Sequence, residues 1–489
     1  MHPSAETHIK ARRYGVVEIT PSGDAIRVSA SCFLEYISPP LHPSINVEKI
    51  IGSFRSGVKR SRKVITGRNR WRGFAQDPAQ LGDREQSCFR PLEDLLKAIA
   101  KATGMHSSVH LKTNPQGGVL RPYRDANSLP DAYIVLDCPS GRRPGWMCVL
   151  FSGEYRNNST VGDNRFNTEK VLWSMSNMLC RDPRRRFTYG FTIENTDMRL
   201  WYCDRSRIIV SEPFNFITEH ELVVRFFASF LYARPDQIGW DLTMTRLHAG
   251  DIEGLQYDIK VQTHDGEEVI YRTVMLLSDS GAQSLHGRGT RVWKVMRVKD
   301  GEAFGDPVVL KDSWVDLDRP REGAILQEIC GMAASEPVDK TLSDALLTVE
   351  CYGDVVIDGD SDRYIDRTTR MNLSELPAHG SDTDAAAITL LLHCHHKVHH
   401  RVVFKEICKT IHQLPSYHDK FRALGQTSIR QSSLEGVGNR RSGMSDETRE
   451  RLSKTGHLSC YKRMKEKEDK YATVCVCYDG IRFDARPAN

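Results

Sequence analysis

The chain has no long apolar run, no CxxC cysteine pair, no strong excess of charge and no internal repeat. One of its longest apolar stretches, Ala385 to Leu392, is broken by Thr389 and falls far short of the roughly 20 residues that span a bilayer, so no membrane partner is expected. The 13 cysteines are scattered and odd in number, with only Cys475 and Cys477 close together, which argues against a disulfide framework. The N-terminus, Met1-His2-Pro3-Ser4-Ala5-Glu6, lacks the apolar segment of a secretory signal. The expectation is an intracellular protein, cytoplasmic or nuclear, with reduced thiols. A net charge of +5 over 489 residues does not by itself argue for nucleic acid.

What is present suits a packed chain of two or three domains: 39% hydrophobic and 27% charged residues. Residues 1–84 hold a short helix over Cys32-Phe33-Leu34-Glu35-Tyr36-Ile37, stopped by Pro39-Pro40, and then a basic stretch from Arg55 to Arg72. That stretch reads as a solvated loop, a nuclear-localisation signal or a phosphate-binding patch. With only Trp71 and Phe74 interleaved, nucleic acid is the weakest of these. Residues 85–245 read as an α/β domain. Leu92, Leu95, Leu96 and Ile99 share one helical face, and Ala132–Leu136 and Trp146–Phe151 are strand-like. Thr168–Leu179 is helical, and Phe187–Ile193 with Met198–Tyr202 makes a hairpin turned at Glu194-Asn195-Thr196-Asp197. Glu219–Tyr232 closes the domain as a helix. Residues 431–489 are dense in charge and poor in apolar residues, the composition of a poorly ordered tail.

Residues 255–430 alternate strands with one or two helices. Val269–Leu277, Arg291–Met296 and Pro307–Lys311 are strand-like, and the first two flank Leu285-His286-Gly287-Arg288-Gly289-Thr290. A glycine turn lets backbone N–H groups approach phosphate oxygens, and a lysine on a following strand can pair with them. Lys311 ends an apolar strand and needs an acidic partner; Glu322 follows eleven residues later, with Glu328 as the fallback. Ala345–Val349 and Arg401–Phe404 complete a five-stranded sheet, with Lys405–Leu414 as a hinge. The intervening His393, His395, His396, His399 and His400 fit no familiar metal-ligand spacing and read as a polar surface loop, so no metal site is assigned.

Several stretches resemble the fungal-type protein kinases: Arg184-Arg185-Arg186-Phe187-Thr188-Tyr189-Gly190-Phe191-Thr192-Ile193-Glu194, Met198–Tyr202, Val210–Phe216, Gly287–Trp293, Val309–Trp314 and Val403–Glu406. The resemblance runs from roughly Phe33 to Ile429. It implies an α+β fold, a kinase-like N-lobe of five antiparallel strands and a helix preceded by an α/β domain. It also implies ATP and Mg²⁺ as cofactors and phosphoryl transfer to a protein Ser or Thr hydroxyl. By it, Gly287, Gly289, Lys311 and Glu322 are the ATP-binding residues. Yet the sequence contains no H-R-D and no D-F-G, so no catalytic residue is assigned. Tyr123-Arg124-Asp125 precedes the lobe, and Cys460 stands where a metal-binding acid is required. The expectation is an impaired kinase, its catalytic lobe lost through a missing exon or shifted frame, or a non-catalytic pseudokinase module.

A third reading concerns the first domain. Leu129-Pro130-Asp131 before one strand and Glu154-Tyr155-Arg156 ending the next is similar to the layout of restriction-endonuclease-like nucleases, with Arg156 in place of lysine. The alternative is an ordinary α/β domain, with Asp131 capping a turn and Glu154 on a loop. The protein substrate stays unassigned.

Overall fold

Two runs of strand-forming sequence build two sheets. The computed structural model describes residues 25–56, 63–82, 85–107, 109–113, 130–136, 146–247, 256–282, 285–334, 347–359, 363–368, 382–392, 394–410, 416, 461–465 and 471–475. The first sheet contains β1 (Ala25–Val28), β2 (Val109–Thr113), β3 (Ala132–Leu136), β4 (Val149–Arg156), β5 (Phe187–Glu194), β6 (Asp197–Asp204), β7 (Ile208–Ser211) and β8 (Phe214–Asn215). Their order is β1-β7-β6-β5-β4-β3-β2, with β8 beside β6. Residues 25–28, from the stretch read as helix and linker, thus join this sheet, parallel to β7. The Cys32–Ile37 helix is a single π-turn over Phe33–Ile37.

The helices of eight or more residues described in this unit are α1 (Val47–Arg55), α2 (Pro91–Thr103), α3 (Val161–Arg181) and α4 (His220–Leu231). β4 and β5 are parallel, so the chain crosses over between them, and α3 is that crossover. A capping box starts α3: Thr160 Oγ1 accepts from Asp163 N–H, and Asp163 Oδ2 accepts from Thr160 N–H. Val171, Leu172, Met175, Met178 and Leu179 of α3 pack with Tyr133, Val135 and Val149 on one face of the sheet. On the other face, Phe151 and Phe191 meet Phe226 and Phe230 of α4, joined by buried residues of α1 and α2. With both faces covered, β4 is buried almost throughout, as a central strand should be.

The second sheet has seven strands: β9 (Met244–Leu247), β10 (Gln256–Gln262), β11 (Glu268–Ser278), β12 (Arg291–Lys299), β13 (Glu302–Asp316), β14 (Val349–Asp354) and β17 (Lys397–Phe404). A small separate hairpin, β15 (Val356–Asp358) and β16 (Arg363–Ile365), lies between the last two in sequence. The seven run antiparallel in the order β14-β17-β13-β12-β11-β10-β9. The five expected strands are β11, β12, β13, β14 and β17. The two additions are short β9 and β10, whose Tyr257, Ile259 and Val261 alternate as buried with half-buried Asp258 and Lys260. The fourth expected strand runs Val349–Asp354 because its buried residues are Cys351 and Gly353, which give a weak apolar signal.

The helix after β13 is α5 (Glu322–Ala334), and α6 (Asp382–Leu392) lies later in the chain. Asp384 of α6 accepts from Ser29 N–H beside β1. The tail lies outside the described residues apart from two strands, Tyr461–Lys465 and Tyr471–Cys475, which form a small sheet with Cys408–Thr410. The expected helix near Ser416–Ile429 and the segment 411–415 also lie outside the described residues. Among the described residues, no helix is long and apolar enough to cross a membrane.

Candidate functional site

Lys311 lies in the middle of the second sheet, on β13, in register with Val292 on β12 and Val402 on β17. Its ammonium donates to Glu322 Oε2 at 2.6 Å, and the two side chains are 14% and 16% exposed. The structure therefore brings together the two residues that the sequence paired, and the fallback Glu328 stays exposed. Helix α5 is seated closely: a Cβ at Gly323 would lie 2.2 Å from the Tyr352 ring of β14. Arg321, just before α5, donates two hydrogen bonds to Asp354, and His400 Nδ1 lies 3.0 Å from the same carboxylate. That brace fixes the helix N-terminus and aims Glu322 at Lys311. Burial pushes the Glu322 carboxyl up, but the Lys311 ammonium outweighs it, with Arg288 and His400 adding to the field, and holds its pKa below the usual value.

The glycine turn sits beside this pair and is committed elsewhere. Gly287 N–H donates to Arg205 O of the first unit, and Arg288 O accepts from Trp314 N–H. Gly289 has φ +54°, and a Cβ there would meet Arg205 Nε at 2.8 Å. Arg205 in turn donates to Leu179 O and Ala282 O, and Arg291 donates to Leu179 O and Cys180 O. The glycines are thus explained by close packing on the first unit, and the Gly287 amide already has an acceptor. A cavity of about 490 Å³ lies elsewhere, lined by Pro39, Tyr189, Tyr202, Gln237 and Arg367 among others, with no contribution from Lys311 or Glu322.

The first unit holds a second cluster. Asp131 precedes β3 and Glu154 lies near the end of β4. Because these strands are antiparallel, with Ala132 opposite Gly153, the two acids meet. Asp131 N–H donates to Glu154 Oε2 at 3.3 Å, and Tyr155 N–H to Asp131 Oδ2 at 3.0 Å. Lys170, from α3, lies 2.7 Å from both Asp131 Oδ2 and Glu154 Oε2. Ser174, one turn on, donates to Glu154 Oε1. Burial drives the Glu154 carboxyl up to about 8; Lys170 pulls it down and Asp131 pushes it up again. For Lys170, burial favours the neutral amine, but Glu154 and Asp131 together raise its pKa. Glu154 is therefore within a strand, not on a loop. Arg156 turns away: it pairs with Glu85 and lies over the Phe166 ring. The sequence reading missed Lys170, whose only signal is a lysine on the face of α3 that carries Ser174.

Between the two sheets runs a buried charge network. Arg401 of β17 donates to Asp312 Oδ2 at 2.8 Å and also pairs with Asp241. His399 bridges Asp312 at 2.9 Å and Asp366 at 3.0 Å, and Arg186 of the first unit reaches Asp366 at 2.8 Å. His399 and His400 therefore do not belong to a surface loop: β17 buries both, at 2% and 1% exposed, and each faces an aspartate. Consecutive polar residues hid that strand, because its burial comes from ion pairing. Burial favours neutral His399, but Asp312 and Asp366 outweigh it and raise its pKa to about 9.

A family model described as fungal protein kinase covers residues 133–430, more than half of the chain. The match starts at Tyr133 rather than near Phe33, so it takes in β4 to β8, α3 and α4 of the first unit, including Glu154 and Lys170, together with the whole second sheet. No curated protein and no solved structure matches the chain.

Proposed function

The chain belongs to the fungal protein kinase family, and from that premise we propose that its second sheet and α5 form a nucleotide-binding kinase lobe. Lys311 would take the ATP phosphates and Glu322 would hold its ammonium in place. The observation that carries this reading is the 2.6 Å Lys311–Glu322 pair, formed across a strand and a helix that share no other ion pair among the described residues. Such a lysine keeps partial exposure, which it needs to meet a polyphosphate. Glycine-turn amides would cover those phosphates only after Gly287 leaves the Arg205 carbonyl.

Binding rather than turnover is the proposed activity. Phosphoryl transfer to a Ser or Thr hydroxyl needs a catalytic aspartate and Mg²⁺-holding acids, and the sequence offers no H-R-D and no D-F-G. Among the described residues, no group of three or more His, Cys, Asp or Glu side chains could hold a metal ion. No step through Mg²⁺ is therefore derived for the second unit. The proposal is a pseudokinase module that takes ATP as a ligand and a protein as partner.

Thermal unfolding with and without ATP tests it. At a hundredfold excess of nucleotide over Kd, binding adds about 2.7 kcal/mol to stability, and Lys311→Met should remove that gain. Absence of any shift at millimolar ATP would sink the nucleotide-binding reading. Transfer of labelled phosphate to a protein substrate, lost in Lys311→Met, would replace the pseudokinase with an active enzyme.

A further inference from the structure

The nucleotide reading makes no use of Asp131, Glu154 and Lys170. Three elements bring them together: the start of β3, the end of β4 and the crossover helix α3 that leads to parallel β5. The cluster is not sealed, since Asp131 and Lys170 keep 18% and 13% exposure while Glu154 lies beneath them at 1%. Two carboxyl groups share one ammonium. A second observation lies on the same strand face. Ser152, two residues before Glu154, is fully buried, and its Oγ has no hydrogen-bond partner among the described residues. Strand alternation turns it toward α3, the side from which Lys170 and Ser174 reach Glu154.

We propose that this unit carries a divalent-cation-dependent site that hydrolyses the phosphodiester backbone of nucleic acid. Mg²⁺ binds through one or two carboxylates and keeps several waters, which is what Asp131 and Glu154 offer. The charge count selects the ligand. Two carboxylates and one ammonium sum to −1 when ionised and repel phosphate. A divalent cation brings the sum to +1, which matches the single charge of a phosphodiester better than the nearly double charge of a phosphomonoester.

In the reaction, a cation-bound water gives one proton to solvent and its oxygen forms a bond to phosphorus. The bond from phosphorus to one sugar oxygen breaks, and that oxygen takes a proton from solvent. One water is consumed per bond cut and nothing is oxidised. Lys170 contacts the phosphate oxygens as charge builds on them, the role the sequence reading gave to Arg156.

The test uses the full-length chain, with Mn²⁺ binding followed by electron paramagnetic resonance. Cleavage is followed on supercoiled plasmid DNA and on labelled single-stranded RNA. The expected result is one Mn²⁺ bound per chain, and cutting of DNA, RNA or both that EDTA abolishes; the two substrates distinguish the source of the diester. Asp131→Asn should weaken Mn²⁺ binding about tenfold or more. Lys170→Met should bind Mn²⁺ at least as tightly and yet cut about 100-fold more slowly. Lys97→Met, an exposed change on α2, should match the parent chain. No bound Mn²⁺ at millimolar concentration, Mn²⁺ binding without cleavage of either substrate, or equal cleavage in all variants would each overturn the proposal.

Discussion

Two lysine–glutamate contacts of nearly equal length behave in opposite ways. Lys311–Glu322 closes at 2.6 Å and Lys170–Glu154 at 2.7 Å, yet Glu322 is held below the usual carboxylate pKa while Glu154 is pushed up to about 8. Distance does not decide this. Glu322 has one lysine to itself, with Arg288 and His400 adding positive field, and retains 16% exposure. Glu154 is all but sealed and shares its lysine with Asp131. An ion pair is therefore described by its surroundings and its count of charges before its length. The first pair holds a lysine in place beside a single carboxylate, a geometry suited to an anionic ligand. The second sets two carboxyl groups, one of them buried, against a single ammonium.

The comparison is sharpest where the charges have no exit to solvent. Arg401 serves Asp241 and Asp312 at the seam between the sheets, all three buried. Arg401→Met should leave Asp241 and Asp312 without the arginine they share and destabilise the chain by about 3–5 kcal/mol in urea unfolding. A loss under about 1 kcal/mol would mean that water reaches the seam, and that burial does not separate the two lysine pairs either.

Protonation at the same seam gives the next effect. His399 faces Asp312 and Asp366, with Arg401 on its own strand and Arg186 behind Asp366. Its folded pKa, about 9, lies above the ordinary imidazole value of 6.5. The stability it contributes is thus complete below about pH 6.5 and is lost as pH rises through 9. That contribution is about 3 kcal/mol. His399→Gln should be less stable than the parent at pH 6, and the gap should close toward pH 9.5. A constant gap across that range would show that the imidazole is neutral in the fold.

These residues also show what the sequence could and could not reveal. Lys311 and Glu322 were legible because strand, lysine and helix follow one another within a few turns, so the pairing is almost local. The hairpin turned at Asn195 was legible for the same reason. Asp131 and Glu154 were legible as acids flanking two apolar strands, but Lys170 comes from a helix whose placement depends on the parallel crossover, and parallel pairing leaves no local mark. β17 was half legible. Arg401, Val402, Val403 and Phe404 read as a strand, whereas His399 and His400 looked like surface until Asp312, Asp354 and Asp366 arrived from elsewhere in the chain. Arg184-Arg185-Arg186 is a like case: three consecutive cations that turn inward, Arg185 under the Trp240 ring and Arg186 on Asp366.

The two lysine pairs can be separated by pH alone, in EDTA. Glu154 carries a raised folded pKa, so the stability linked to its proton is present at low pH and fades as pH rises from about 4.5 to about 8. Glu154→Gln should therefore gain on the parent across that range. Glu322 has a lowered pKa, so its contribution is present above about 4.5 and is lost as pH falls further. Glu322→Gln should be weaker by about 1 kcal/mol at pH 7, and the difference should shrink as pH falls below about 4.5. Two parallel profiles would mean that both glutamates ionise alike, and the contrast between the sites would be gone.

The smallest effect decides between Lys170 and the residue that the sequence put forward. Arg156 is joined to Glu85 in a pair with 26% and 33% exposure, the kind of contact that contributes about 0.5 kcal/mol or less. Arg156→Gln should shift urea unfolding by no more than that. Lys170→Met removes the only cation within reach of Asp131 and Glu154 among the described residues, and should shift it more. The same ranking should hold for phosphodiester cleavage, with the helix lysine far ahead of the strand arginine. A reversal in both measurements would mean that Arg156 swings back over the carboxylates in solution, and that the E-x-R spacing, not the crossover helix, supplies the positive charge.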